Sequence, residues 1–437
     1  MRILLLSHRF APLSVGGVER WTWTLAEALA AGGDEVQVLS RDDREERVLP
    51  PFSLVEGTPA GRPDARSPEG VGMHWITHRH SDARRATDAW RDPRFDAPLD
   101  ALLDRLEPDV VHVAHGDGWG VAPFRRAARR GLVVGATLHD YKAFCARGQL
   151  LPEVGPPCSA AFEERCVRCV SDQLDRGPLQ ALAGRLAPAG LHERWARTRL
   201  PLEQRPEPPA KARRRWRARQ RALMEALNGC DVLTAPSEFV ARAHRQAGLR
   251  RGVDVLRNPT PGAPPPISPR RPGPLRVGFF GTDVPSKGLG GLLRAAAGVS
   301  GVEVHVHGPR PGAPGERLVW HGPYEPEQAA KLMSGVDVIA LPSVWPENAP
   351  LVAEEARLAG RPRLVSAVGG LPEGVRDGVD GWILPADDVA AWADRLRALA
   401  AEPAEVVRAT AAVLPPGSPQ ASAADHRRLW QKAIDGR

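Results

Sequence analysis

The stretch Val336-Asp337-Val338-Ile339-Ala340-Leu341-Pro342-Ser343-Val344-Trp345-Pro346-Glu347-Asn348-Ala349-Pro350-Leu351-Val352-Ala353-Glu354-Glu355-Ala356 reads as a buried strand, a turn rich in Pro and Trp, and the opening of a helix. It carries two acids, Glu347 and Glu355. On one helix they would stand about 80° apart around the axis and roughly 12 Å apart along it, so they would not converge. Pro346 and Pro350 bracket the opening and Asn348 is the expected N-cap, which leaves Glu347 on the loop and Glu355 on the helix. Free N–H groups at Ala349, Pro350's successor Leu351 and Val352, with the helix dipole behind them, favour an anion such as a diphosphate. Read without the rest of the chain, the same pattern also describes a capped surface helix with a solvated Glu355.

Outward from this stretch the second half is a β-α series. Leu275 to Gly281 reads as a strand, a helix opens near Gly288, and Val302 to Gly308 and Leu318 to Gly322 are further strands. Arg363 to Ser366, the turn Gly369-Gly370-Leu371-Pro372-Glu373, Gly381 to Leu384 and a helix near residues 388–401 follow. Lys287, on the loop after the first of these strands, is a compact cation suited to a diphosphate and to the charge that grows on it as a bond to sugar breaks.

The first half opens the same way. Arg2 to Leu6 is a short apolar run, Gly16-Gly17-Val18-Glu19 precedes a helix with Val18, Trp21, Leu25 and Leu29 at helical spacing, and Glu35 to Ser40 is a strand. A parallel sheet with helices on its faces is the expected class. The glycine pair is no dinucleotide or Walker fingerprint, but it allows close approach of backbone to phosphate; an ordinary tight turn is the other reading. Later strands fall at Asp109 to Val113 and, after a helix near residues 120–130, in Val133-Val134-Gly135-Ala136-Thr137-Leu138-His139-Asp140, with His139 at the carboxyl end, where ligand groups of open α/β sheets gather and where structural histidines also occur. Asp231 to Pro236 and Val253 to Pro259 complete the half.

Pro259 to Pro274 holds eight prolines in sixteen residues, a stiff segment unable to join a sheet interior, and marks the domain boundary. A chain of 437 residues with 42% apolar and 25% charged residues is long enough for two cores. The net charge of +7 permits anionic partners without naming one. No apolar run is long enough for a signal-peptide core or a membrane span, so the expected location is cytoplasmic. Residues 173–227 are helical in tendency and include a basic run at 211–221, which reads either as a solvated helix face or as a peripheral contact with an anionic membrane; no nucleic-acid module accompanies it. Cys145, Cys158, Cys166 and Cys169 cluster, but only the last two form a C-x2-C pair, leaving a structural zinc site, free thiols or a conditional disulfide open.

Five features in order, Gly16-Gly17-x-Glu19, His139, Lys287-Gly288, Glu347-x7-Glu355 and Gly370-Leu371-Pro372-Glu373, resemble the retaining glycosyltransferases of family 4 (the group 1 type), over nearly the whole chain. Similar cysteine placements after a His-Asp-Tyr segment occur in some of them. The chain departs from the pattern at Thr282 and Asp283, near which relatives carry an Arg.

The resemblance implies a GT-B architecture: two Rossmann-like domains facing across a cleft, residues 1–258 on the acceptor side and 275–415 binding the nucleotide sugar, joined by 259–274, with 416–437 a helix packing back on the first domain. It implies a hexosyltransferase or related enzyme (EC 2.4) that transfers with retention by front-face attack, needs no metal or other cofactor, and uses a UDP- or GDP-sugar. The acceptor would offer a hydroxyl and be a glycan, a lipid-linked glycan or a small natural product. The implied catalytic residues are Glu347, His139 and Lys287; the donor would be held by Gly16, Gly17, Lys287, Asn348, Ala349, Pro350, Leu351 and Glu355, with Glu355 on the ribose hydroxyls. A degenerate GT-B binding or scaffold protein, a phosphorylase and a nucleotide-sugar epimerase are the alternatives.

Overall fold

Short apolar runs bounded by Gly, Pro or acids become strands in this chain, and the amphipathic stretches between them become helices that cover the sheets. The structure, a computed structural model, describes residues 1–11, 13, 16–44, 50–58, 67–78, 89–152, 155–158, 163–169, 210–266, 269–308 and 317–437. Residues 173–209 of the segment expected to be helical lie outside them. Two units divide the chain: one comprises Met1–Ala235, Val240–Val255 and Ala423–Arg437, the other Pro236–Phe239 and Leu256–Ser422.

In the first unit the elements run β1 (Arg2–Leu6), α1 (Gly17–Ala31), β2 (Glu35–Asp42), β3 (Leu54–Glu56), β4 (Val71–Thr77), α2 (Asp96–Leu106), β5 (Val110–Val113), α3 (Ala122–Arg129), β6 (Val133–Thr137), α4 (Glu163–Cys169), α5 (Ala210–Asn228) and β7 (Val232–Ala235). α6 (Glu238–Gln246), which belongs to this unit from Val240 onward, and β8 (Asp254–Val255) follow. The strands form one sheet in the order β3-β4-β2-β1-β5-β6-β7-β8, parallel throughout except for β3 against β4. β1 is central, with Ile3 opposite both Val36 and Val110, and its side chains are almost wholly buried. The expected strand from Val253 to Pro259 shrinks to Asp254–Val255, because Asn258-Pro259 breaks it.

The core of this unit takes Trp21, Leu25 and Leu29 from α1, so the helical spacing in the sequence is the packed face. It also takes Ala423 and Trp430 from the final helix, α12 (Pro419–Asp435) of the numbering completed below. Arg427 of that helix reaches Asp34 at 2.7 Å.

In the second unit β9 (Leu275–Phe280), α7 (Leu289–Ala297), β10 (Val302–His307), β11 (Leu318–Gly322), α8 (Ala329–Met333), β12 (Val338–Leu341), α9 (Leu351–Leu358), β13 (Arg363–Ser366), β14 (Gly381–Leu384), α10 (Val389–Ala401) and α11 (Pro403–Ala412) precede α12. The sheet is wholly parallel, in the order β11-β10-β9-β12-β13-β14. This is the 3-2-1-4-5-6 order of a doubly wound nucleotide-binding sheet. The inner strand β12 is buried at every residue and reads as the continuous apolar run Val-Ile-Ala-Leu, whereas β10, Val-Glu-Val-His-Val-His, alternates. Among the described residues no helix is long and apolar enough to cross a membrane.

Candidate functional site

β9 and β12 lie side by side, yet the chain leaves them in opposite directions, toward β10 from one and toward β13 from the other. Loops after such a pair diverge and open a crevice at the carboxyl ends of the strands. Lys287 sits on the loop after β9, closing a 3-10 turn Pro285–Lys287, and Glu347 sits on the loop after β12. Their side chains meet, with Lys287 Nζ 2.6 Å from Glu347 Oε1. Ser343 Oγ and Trp345 Nε1 donate to the same oxygen at 2.8 and 3.0 Å. Glu347 is only 4% exposed, so three donors on one carboxylate offset the cost of burying its charge. An ammonium has three protons, and this bond uses one of them.

The backbone around the pair is held by close approaches. Val344 N donates to Ser286 O at 2.9 Å, tying the two loops together. Gly288 has φ 74°, and a Cβ there would lie 1.8 Å from Pro342 O. Gly369 has φ 62°, and a Cβ there would lie 2.2 Å from Glu347 O; Gly370 N donates to that same oxygen at 2.6 Å. The Gly-Gly-Leu-Pro-Glu turn is thus a clamp on Glu347 and Asn348. Its Glu373 accepts from the backbone N–H of Glu238 and Phe239 at 2.8 and 2.6 Å.

Asn348 is not the N-cap. Helix α9 begins at Leu351 with Pro350 in the capping position, φ −67° and ψ 137°, and no side chain caps it. The difference has a physical cause: Asn258 Nδ2 bonds Ala349 O at 2.6 Å and holds the loop extended through Pro350, past the point where Asn348 would cap. Ala353 N donates to Pro350 O at 2.9 Å, while the N–H groups of Leu351 and Val352, at the helix start, have no acceptor within the helix. Glu355 stands in this helix, is 4% exposed and does not fit a solvated surface helix, while its neighbour Glu354 is paired with Arg357 at 2.7 Å. Lys287, Glu347, the backbone at Asn348 to Leu351 and Glu355 thus belong to one unit and one switch point. Thr282 and Asp283 are exposed.

Gly16, Gly17 and His139 belong to the first unit. Gly16 is the N-cap of α1 and Gly17 its first residue. His139 packs edge-on against Trp21 of α1, ring centroids 4.4 Å apart. Its burial, with the nearby His115 adding to the effect, pulls its pKa down to about 3, so it is a neutral imidazole at neutral pH. The neighbours of His139 were not legible as a group. His115, after β5, bonds Asp140 through Nε2 at 2.7 Å and packs at a tilt against His8, centroids 4.1 Å apart and ring planes 56° apart. Burial lowers the His115 pKa, but Asp140, with Asp117 and Glu19 beyond it, raises it more. Asp140 is held down to about 2: burial acts upward and the His115 partner outweighs it.

The basic run on α5 is not one solvated face. Arg214, Arg217 and Arg221 are exposed, whereas Ala212, Trp216 and Arg219 are buried. The spacing of Arg219 after Trp216 was the available signal. Cys145, Cys158, Cys166 and Cys169 form no disulfide, and among the described residues no group of three or more His, Cys, Asp or Glu side chains is arranged to hold a metal ion. Guanidinium groups occupy their surroundings instead, with Arg147 Nε 3.1 Å from Cys169 Sγ.

Two family models match the chain, "Glycosyltransferase Family 4" over residues 15–153 and "Glycosyl transferases group 1" over residues 274–402. Among curated relatives, the D-inositol 3-phosphate glycosyltransferase of Mycolicibacterium smegmatis is 36% identical over 152 residues, which is 31% of this chain and 35% of the relative. That of Mycobacterium marinum is 35% identical over 139 residues, 28% of this chain and 30% of the relative. The matched part thus spans about a third of these relatives' length. Among solved structures, HepE of Anabaena in complex with UDP superposes with a TM-score of 0.58 at 15% identity, covering 100% of this chain and 99% of that one. Sucrose-phosphate synthase of Thermosynechococcus elongatus gives 0.60 at 16% identity with the same coverage. Two parallel α/β sheets with these strand orders, and family models matched in both halves, place the chain in glycosyltransferase family 4, group 1 type, on the GT-B fold.

Proposed function

We propose that the protein transfers a sugar, with retention, from a nucleotide-sugar donor to an acceptor hydroxyl without a metal ion. The observation that carries this reading is the Lys287–Glu347 pair at the switch point of the second sheet, beside the N-terminus of the helix that bears Glu355. The diphosphate is bound by Lys287 and the N–H groups opening α9, which take up the charge of the leaving group where a metal would otherwise do so. Glu355 holds the ribose hydroxyls and Glu347 a hydroxyl of the donor sugar. Neither is assigned as a nucleophile; the leaving phosphate accepts the acceptor's proton as the new bond forms on the same face.

On the first unit, the neutral His139 and the Gly16-Gly17 backbone serve the sugar and acceptor. A UDP-sugar is the first donor to test, since HepE is described with UDP. The acceptor is a glycan, a lipid-linked glycan or a small natural product. Calorimetry with UDP and GDP, followed by release of nucleoside diphosphate from the matching sugar donor, tests the reading. Lys287→Ala is expected to lower transfer by about 10²–10³-fold, the magnitude of losing one charge-stabilising donor, and Glu355→Ala to lower it strongly by removing the acceptor of the ribose hydroxyls. Lys287→Ala also weakens nucleoside diphosphate binding. Unchanged turnover in both variants overturns the assignment, and absence of nucleoside diphosphate binding in the parent favours a binding protein on the same fold.

A further inference from the structure

A cavity of about 150 Å³ in the first unit lies among His115, Asp117, His139, Asp140, Lys142 and Arg219, with an apolar wall that includes Phe124 and Leu223. It is smaller than the roughly 300–1,000 Å³ of pockets for drug-sized ligands and suits a compact group. Two of its polar side chains are unfinished. Arg219 is 7% exposed; Nη2 donates to Lys142 O at 2.6 Å, while Nη1 has no hydrogen-bond partner among the described residues. His115 is 9% exposed; Nε2 is taken by Asp140, while Nδ1 likewise has no partner among the described residues.

Buried donors without acceptors are costly, and a guanidinium cannot escape the cost by losing its proton. The two carboxylates in the cavity do not answer the need. Asp140 is bound to His115 and to Lys142 N at 2.8 Å, and Asp117 lies 3.3 Å from Lys142 Nζ. With those pairs made, the charge left over is that of Arg219. A ligand that completes the site brings acceptor oxygens and negative charge.

We propose that this cavity is a binding site for a compact oxyanion, a phosphate or carboxylate, received by Arg219 Nη1 and by Nδ1 of the His115 imidazolium, whose other nitrogen donates to Asp140. Resting on the transferase reading, that oxyanion is carried by the acceptor: His139 lines the same cavity, so an anionic acceptor is anchored by Arg219 and His115 with its neighbouring atoms at the imidazole. Its residues belong to the first unit, whereas Lys287 and the opening of α9 belong to the second.

Titration calorimetry of the full chain at fixed ionic strength decides this, with inorganic phosphate, acetate, glucose and UDP as separate arms. Phosphate or acetate binds in the parent, survives Lys287→Ala, and weakens at least 10-fold in Arg219→Gln and in His115→Gln, while UDP affinity stays within twofold in these two variants. Arg219→Lys, which keeps the charge, covers the case in which Arg219→Gln does not fold, and loses affinity because the second donor arm is gone. Oxyanion affinity that is absent in the parent, equal in parent and variants, or abolished by Lys287→Ala overturns the site, as does glucose binding in its place. Failure of the UDP arm alone counts against the transferase reading and leaves the oxyanion result to stand on its own.

Discussion

His115 and Asp140 show what one pair of side chains does to its surroundings. His115 is raised because Asp140, aided by Asp117 and Glu19, outweighs burial, and Asp140 is lowered to about 2 by the same partnership. The pair stabilises the fold fully above the ordinary carboxylate value of 3.8 and below the ordinary imidazole value of 6.5. That contribution is lost as pH rises through the elevated His115 pKa, and as it falls through about 2. His8 and His139, both held near 3, act oppositely and cost stability as pH drops below 6.5. The comparison of parent with Asp140→Asn therefore isolates the pair. In the variant, NMR titration of the His115 ring proton is expected to show a pKa below that of the parent, since burial remains while the largest raising partner is gone. An unmoved titration would mean that Asp140 does not set the charge of His115.

At the scale of elements, the strand-turn-helix around Glu347 was legible because Pro342, Pro346 and Pro350 forbid regular structure between an apolar run and a helical pattern. Its fine path was not. That Ser343 and Trp345 turn back onto Glu347, and that Asn348 fails to cap, depend on Gly369, Gly370 and Asn258, which are distant in sequence and reach the loop only through the fold. His139 could be placed at a strand end, but the cavity around it draws on α5, which follows a long intervening segment, so Arg219 had no local signature beyond its spacing from Trp216. Gly369→Ala tests the clamp. A left-handed backbone costs a side chain about 1–2 kcal/mol, and the added Cβ also meets backbone atoms of Glu347 that cannot rotate away. The variant is expected to lose more than about 2 kcal/mol in urea unfolding and to bind UDP more weakly. Parental values for both would show that the turn does not hold Glu347.

On the scale of the whole molecule, the two α/β series were readable from repeated strand and helix patterns, since buried parallel strands are uninterrupted apolar runs. The antiparallel edge strand β3 was not, because three residues carry no periodicity. The assignment of α12 from Ala423 onward to the first unit rests on particular residues: Trp430 is fully buried in the core that Trp21 and Leu25 share, and Arg427 holds Asp34. Trp430→Ala is expected to destabilise that unit by about 3–5 kcal/mol, seen as a lower unfolding transition in calorimetry. A wild-type transition would refute its place in the core. The same helix sets an order of events during synthesis. A unit begun at Met1 waits for Trp430, which follows all of residues 256–422, a delay of roughly 10–30 s at about 5–20 residues per second. The unit whose strands leave the ribosome first is therefore the last to close its core, and in that interval the apolar surface that Trp430 will cover is open to whatever holds unfinished chains.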